Sequence, residues 1–245
     1  MVRLSNNLRL KFVCNIIHQF QEMKKAILFG ASGFVGGYLL RDLLQSDIYS
    51  EVTIVVRKPL NIQHPKLNIV LADYHNLPQN AAYLIGDDVF ISLGTTKKKT
   101  PNQKEYYQID HDYPVLAAQL TKANGATSVM LVSAVGANAN SSIFYSKTKG
   151  EAERDVLAVN FKHTHIFRPS MIMGNRSESR PLEKIFINVF SVANLLLVGK
   201  LNKYKGITAE HIAKAMISAA QQPVERAKIY HWKEMKELLS SSQIR

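Results

Sequence analysis

A short apolar strand that runs into closely spaced glycines and then an amphipathic helix is the feature that most constrains this chain. The strand spans residues 25–29, and Gly30, Gly33 and Gly36 follow it at two-residue gaps. Apolar residues then recur at helical spacing: Val35, Leu39, Leu40, Leu43 and Leu44. Three glycines in a loop also describe an ordinary turn, but their position between strand and helix predicts a dinucleotide site.

Each glycine has a separate purpose in such a site. Gly30 permits a tight turn, Gly33 lets a pyrophosphate approach the main chain, and Gly36 lets the helix pack closely on its strand. The first N–H groups of a helix have no partner within it and attract anions. We therefore expect residues 30–36 to hold the phosphates, with Ser32, Phe34 and Val35 beside the glycines.

Strand-like and helical segments alternate along most of the chain. Strands are predicted at 25–29, 51–56, 67–71, 88–93, 128–132 and 163–167, and helices at 77–84, 106–123 and 145–159. This alternation requires right-handed crossovers and a parallel sheet covered on both faces. We predict an α/β, doubly wound (Rossmann) fold with strand order 3-2-1-4-5-6 and a small C-terminal substrate-covering region from about residue 170.

The length of 245 residues and the apolar fraction of 46% fit one compact unit. We assign residues 23–222 to the dinucleotide-binding domain and 223–245 to a C-terminal segment. Residues 1–22 form an N-terminal extension in which only Glu22 opposes Arg3, Arg9 and Lys11. The extension suggests an amphipathic targeting segment, a frayed helix, or a start codon misassigned ahead of Met23. Residues 185–198 are too short to span a bilayer and predict a buried or lid helix.

Charge and cysteine content narrow the possible partners. The formal charge is +12 and the pI about 9.7, but the basic residues are scattered, with 97–99 the only lysine triplet. This pattern favours a surface that attracts anionic cofactors or substrates over one that binds nucleic acid. A single cysteine, Cys14, excludes an intramolecular disulfide and fits a reducing compartment without proving it.

The residues after the second and third strands bear on the choice of cofactor. NAD sites place a carboxylate at the end of the second strand, but here Arg57 and Lys58 stand there. A guanidinium pairs well with a 2′-phosphate, which favours NADP over NAD, although Arg57 could simply solubilise a strand end. Asp73 is placed to contact the adenine edge or to cap a turn. Gly94, after the fourth strand, would leave room for the cofactor or form a turn.

A serine, a tyrosine and a lysine are predicted at the same edge of the sheet. Tyr145 and Lys149 lie four apart at the start of a helix, and Ser133 ends the fifth strand. The Lys149 ammonium would lower the pKa of the Tyr145 phenol, and Ser133 would orient or polarise a substrate carbonyl. The alternative is a pair of surface residues at a common spacing. No metal site is expected, because His111, His163 and His165 lack ligand spacing.

The chain resembles the short-chain dehydrogenase/reductase superfamily, in its atypical or extended branch. The matching residues are Gly30, Gly33, Gly36, Asp73, Gly94, Ser133, Tyr145 and Lys149. The segments at 91–96, 132–137, 145–153 and 167–170 are similar to those of Tat-interacting-protein-like NAD(P)-binding oxidoreductases. The resemblance implies NADP(H) binding, a cytoplasmic location in bacteria, and a place for Pro169 beside the nicotinamide. The alternative is that Pro169 simply ends the preceding strand.

Together these features predict an NADP-dependent oxidoreductase that transfers hydride between the nicotinamide and a carbonyl or alcohol, with Tyr145 as the acid–base group. The alternative from another class is a protein that senses NADP(H) without turnover. Epimerisation or dehydration of a sugar nucleotide is disfavoured, because such relatives are usually longer. We expect a small-molecule substrate, no membrane span, and a monomer or homodimer.

Overall fold

The computed structural model describes residues 23–174 and 197–242, which build a seven-stranded, wholly parallel sheet. The strand order is β3-β2-β1-β4-β5-β6-β9. The sheet strands are β1 (Lys24–Phe29), β2 (Tyr49–Val56), β3 (Leu67–Leu71), β4 (Asp88–Ile91), β5 (Ser128–Val132), β6 (His163–Phe167) and β9 (Arg226–Tyr230). A two-stranded parallel ladder joins β7 (Ile172–Met173) to β8 (Ile207–Thr208).

Helices cover both faces of the sheet. They are α1 (Phe34–Gln45), α2 (Gln103–Tyr107), α3 (Tyr113–Ala123), α4 (Phe144–Ala158), α5 (Ala209–Ala220) and α6 (Trp232–Ser242), with 3₁₀ turns at Pro78–Tyr83 and Gly199–Tyr204. Helices α1, α5 and α6 pack in one apolar core, whereas α3 and α4 pack in the other. A π-helical turn, Gln108–Asp112, joins α2 to α3.

The predicted doubly wound fold is confirmed, and so are all six predicted strands in the predicted order. The segment at 77–84, predicted as an amphipathic helix, forms only the 3₁₀ turn. The sequence reading missed β9, which lies within the segment assigned to 223–245. Four of its five residues are exposed and only Tyr230 is buried, so it lacks the apolar run that identifies the inner strands.

Two expectations fall mainly on residues outside the described part of the chain: those for 1–22 and for 185–198. Among residues 23–174 and 197–242, no helix is both long and apolar enough to cross a membrane.

The parallel register brings the carboxyl ends of the central strands to one edge of the sheet. The chain leaves that edge after Phe29, Ile91 and Val132, the last residues of β1, β4 and β5. The segments that follow these strands carry most of the candidate residues. Ligands of doubly wound folds bind at this edge, so it is where a site is sought.

Candidate functional site

The glycine loop is built around a very close approach between β1 and α1. Gly30 has a φ of +89°, in the left-handed region that favours glycine, and its carbonyl accepts a hydrogen bond from Gly33 N–H at 2.8 Å. A Cβ placed on Gly36 would lie 1.9 Å from the Gly30 carbonyl oxygen, and one on Gly30 would lie 2.8 Å from the Ser92 carbonyl oxygen. The structure therefore requires glycine at both positions.

The N-terminus of α1 has no competing anion. Gly33 is the N-cap, no side chain caps the helix, and its first turn carries no acidic residue. A helix N-terminus of this kind attracts anionic ligands. Gly33 and its neighbours Ser32, Phe34 and Val35 line a cavity of about 680 Å³. A helix start without a side-chain cap, beside a loop with glycine at positions 30 and 33, fits the diphosphate of a dinucleotide.

The same cavity contains the serine, the tyrosine and the lysine singled out in the sequence. Ser133 follows β5, whereas Tyr145 and Lys149 lie in the first two turns of α4. Gly94 and Lys99, from the segment after β4, line it as well. One continuous cavity therefore connects the helix N-terminus to Ser133, Tyr145 and Lys149.

Lys149 forms a buried ion pair that sequence reasoning missed. Its Nζ lies 2.7 Å from Oδ1 of Asp110, on the π-helical turn, and the two side chains are only 9% and 1% exposed. The other carboxylate oxygen, Oδ2, accepts a hydrogen bond from Thr95 N–H at 2.8 Å. A Cβ on Gly94 would lie 3.3 Å from Asp110 Oδ1 and 3.6 Å from Lys149 Nζ, so Gly94 leaves room for this pair.

Tyr145 is 44% exposed, at the mouth of the cavity. Partial burial raises the pKa of Tyr145, the charge of Lys149 lowers it, and the charge of Asp110 raises it. The net direction is upward. The Lys149 ammonium acts on the Tyr145 pKa in the expected direction, but burial outweighs it and Asp110 opposes it.

Ser133 is held by a second buried carboxylate. Its hydroxyl donates a short hydrogen bond to Glu153 Oε1 on α4. Arg168 donates to both oxygens of the same carboxylate, with Nε 2.9 Å from Oε1. A hydroxyl has one proton, so Ser133 presents only lone pairs to the cavity. This differs from the expected role of polarising a substrate carbonyl, which needs a donor.

The remaining candidates do not line this cavity. Arg57 and Lys58 are exposed at the end of β2. Arg57 is near the phenols of Tyr74 and Tyr113, which stack with ring centroids 3.9 Å apart. Asp73 accepts hydrogen bonds from the backbone N–H groups of the two residues that follow Tyr74, both at 2.9 Å, which is the turn-capping alternative.

Pro169 and the three histidines have structural partners. The Pro169 carbonyl accepts a hydrogen bond from Val135 N–H at 2.9 Å. His111 lies between two carboxylates, His163 contacts a backbone carbonyl, and His165 contacts the Tyr230 hydroxyl, each at 2.8 Å. No group of three or more potential ligands suited to a metal occurs within the two described ranges.

Comparisons with known proteins agree with this geometry. A family model described as NAD(P)H-binding matches residues 30–223. The chain is 35% identical over 210 residues to "Protein FMP52, mitochondrial" of Candida glabrata, covering 82% of this chain and 87% of that protein. It is also 35% identical over 166 residues to "Protein HTATIP2" of Rattus norvegicus, covering 66% of this chain and 68% of that protein. The resemblance to the Tat-interacting-protein-like group is thereby confirmed.

Solved structures support the fold. The Bordetella bronchiseptica enzyme WbmH, in complex with NAD⁺, superimposes with a TM-score of 0.65 at 18% identity over 90% of this chain and 80% of that one. MoeE5, in complex with UDP-glucose and NAD, gives a TM-score of 0.62 at 17% identity over 89% of this chain and 82% of that one. At these identities the likeness shows the fold alone.

The expectation of a cytoplasmic location is wrong. Similar proteins from Candida glabrata, Saccharomyces cerevisiae and Aspergillus terreus are all named as mitochondrial. The cysteine count could not distinguish the cytoplasm from mitochondria, because a single cysteine excludes only an intramolecular disulfide. Taken with the family match, the loop geometry and the uncapped helix, these relatives show that the chain belongs to the NAD(P)H-binding family of Rossmann-fold proteins.

Proposed function

We propose that this protein is an NADP(H)-dependent oxidoreductase that acts on a carbonyl or alcohol of a small molecule. The observation that carries the proposal is the cavity itself, which is lined both by Ser133, Tyr145 and Lys149 and by the N-terminus of α1. A bound nicotinamide cofactor supplies or accepts a hydride. The protein's part is to hold the cofactor, orient the substrate and move one proton.

Tyr145 is the residue we assign to the proton transfer. Its side chain lies in the cavity and remains accessible to a ligand, with 44% of its surface exposed. Ser133, whose proton is committed to Glu153, would accept a hydrogen bond from a hydroxyl in the site. Lys149 would hydrogen-bond the ribose of the cofactor with the N–H bonds that Asp110 leaves free.

The test of this assignment is Tyr145→Phe, which removes one hydroxyl. We expect NADPH binding to be retained and NADPH oxidation with a panel of aldehydes and ketones to fall at least about 100-fold, the usual effect of a general acid. Tyr83→Phe is the matched control, because Tyr83 is an exposed tyrosine at the end of the first 3₁₀ turn, outside the cavity lining.

Two outcomes would contradict the proposal. Turnover that persists in Tyr145→Phe would remove Tyr145 from the chemistry. Tight NADPH binding by the wild-type protein without turnover of any carbonyl would favour the alternative, a protein that senses the cofactor. Epimerisation of a sugar nucleotide would instead appear as conversion of the sugar without net NADPH consumption.

We further propose a preference for NADP over NAD, and Arg57 as its cause. Arg57 is exposed at the carboxyl end of β2, where no carboxylate follows in sequence until Asp73. An arginine in that place can pair with a 2′-phosphate. Arg57→Asp should weaken NADPH binding at least tenfold while changing NADH binding little, with the NADH measurement as the internal control. Equal losses for both cofactors would show that Arg57 is not the phosphate partner.

A further inference from the structure

The buried pair of Asp110 and Lys149 lines the cavity that also holds the proposed proton-transfer group. Asp110 Oδ1 lies 2.7 Å from Lys149 Nζ, and Oδ2 accepts a hydrogen bond from Thr95 N–H at 2.8 Å, so each oxygen has a defined partner. A charged pair that is almost wholly removed from water is held rigidly, because separating it would leave two buried charges uncompensated.

The π-helical turn explains how Asp110 reaches this position. Adjacent residues of the turn both contact α4: Asp110 pairs with Lys149, and His111 Nε2 lies 2.8 Å from Asp155 Oδ2. The wide turn thus attaches the helix pair α2–α3 to α4 at two points, one of which is inside the cavity. Single π turns of this kind are frequently found at functional sites.

The two charges that act on the Tyr145 phenol have opposite effects. Lys149 on its own helix favours the phenolate, and Asp110 on the π turn opposes it. Tyr106, on α2, adds a second neutral phenol that itself has a raised pKa. Glu153 lies behind Ser133, where its charge is paired with Arg168.

We propose that Asp110 is a positioning residue that fixes Lys149 and opposes its pull on the Tyr145 proton, so that Tyr145 serves as the proton donor to a carbonyl in the site. This inference rests on the proposed function. In the reducing direction the carbonyl carbon gains the hydride, the nicotinamide is oxidised, and the carbonyl oxygen takes the Tyr145 proton. The resulting phenolate then recovers a proton from water. Ser133 has no proton to give, which leaves Tyr145 as the donor to the carbonyl oxygen.

The experiment is a spectroscopic titration of the single phenol Tyr145 in the protein without cofactor. The ultraviolet absorbance of tyrosinate is followed with pH in the wild type and in Tyr145→Phe, and their difference isolates Tyr145. The same difference is taken in an Asp110→Asn background. We expect a wild-type midpoint above pH 10 and a midpoint about one pH unit lower once the carboxylate charge is removed.

Asp112→Asn is the matched control. It is the same substitution two residues further along the π turn, where the carboxylate contacts His111 and does not line the cavity. We expect no change in the Tyr145 midpoint. Asp110→Ser is the second variant. It also removes the carboxylate, but it places no amide group against Lys149 and Thr95 N–H. Circular dichroism and thermal melting check that each variant is folded.

Two outcomes overturn the inference, and neither depends on finding a substrate. A wild-type Tyr145 midpoint at or below pH 9 would show that Lys149 acts as an uncancelled charge. A midpoint that Asp110→Asn and Asp110→Ser leave unmoved would show that Asp110 does not govern it. Failure of the proposed function looks different, because it appears as loss of NADPH binding or turnover while the titration is as expected.

Discussion

Gly36 and Gly37 are neighbours in the first turn of α1, yet alanine should have opposite effects at the two positions. A Cβ on Gly36 would lie 1.9 Å from the Gly30 carbonyl oxygen, whereas a Cβ on Gly37 would lie 3.9 Å from its nearest neighbour, the Ala31 carbonyl oxygen. A carbon and an oxygen in ordinary contact are about 3.3 Å apart. Alanine at Gly36 must therefore push the β1–α1 loop back by roughly 1.4 Å, whereas alanine at Gly37 requires no movement.

The expected free energies of unfolding follow from these distances. Overpacking of this severity costs about 3 kcal/mol, and the better helix propensity of alanine returns about 1 kcal/mol. Gly36→Ala should thus lose about 2 kcal/mol, and Gly37→Ala should gain up to about 1 kcal/mol. Urea unfolding of the protein without cofactor measures both. Equal stability of the two variants would refute the close approach at Gly36.

Three further outcomes are expected. Glu153→Gln should lower the free energy of unfolding, measured in urea, by about 3 kcal/mol, because it leaves the buried end of Arg168 without its countercharge. The control Glu151→Gln disrupts a 4.0 Å pair with Lys147 on α4 and should cost under about 0.5 kcal/mol. Similar losses in the two variants would contradict the buried pair. Burial lowers the pKa of His165 to about 4 in the folded protein. As the pH drops, His165 is therefore protonated in the unfolded chain before it is protonated in the folded one, so stability should fall between pH 6.5 and pH 4. The fall attributable to His165 is about 3 kcal/mol, and in His165→Asn it should be missing from urea unfolding curves taken across that range; an unchanged slope would show that His165 is not the group responsible.

Sequence periodicity predicted the inner strands because they are buried on both sides. The residues of β4 and β5 are all buried, and such runs are unmistakable beside helical spacing. Strand β9 has the opposite character, since it lies at the edge of the sheet with one buried residue, Tyr230. Its membership in the sheet is decided by backbone pairing with β6, which leaves no mark in the apolar pattern.

The candidate site was predictable wherever it depends on local spacing. The glycine loop and the four-residue step from Tyr145 to Lys149 are local, and so both could be found. The carboxylates that hold Lys149 and Ser133 come from distant parts of the chain: Asp110 is on another helix, and Glu153 meets Ser133 only because α4 packs against β5. The direction of the Ser133 hydroxyl proton depends on these distant carboxylates. Residue spacing alone therefore could not show whether Ser133 donates or accepts a hydrogen bond in the site.

The wide turn at Gln108–Asp112 also limits how the length of this chain can vary. A π turn is one residue longer than the α-helical turn it replaces. Deletion of a single residue there would restore regular helix and rotate everything before it by about 100° relative to α3, given 3.6 residues per turn. Asp110 and His111 could not then both meet α4. Homologous chains that keep an acidic residue at the position of Asp110 and a lysine at that of Lys149 are therefore expected to tolerate insertions and deletions on either side of the π turn, but not within it.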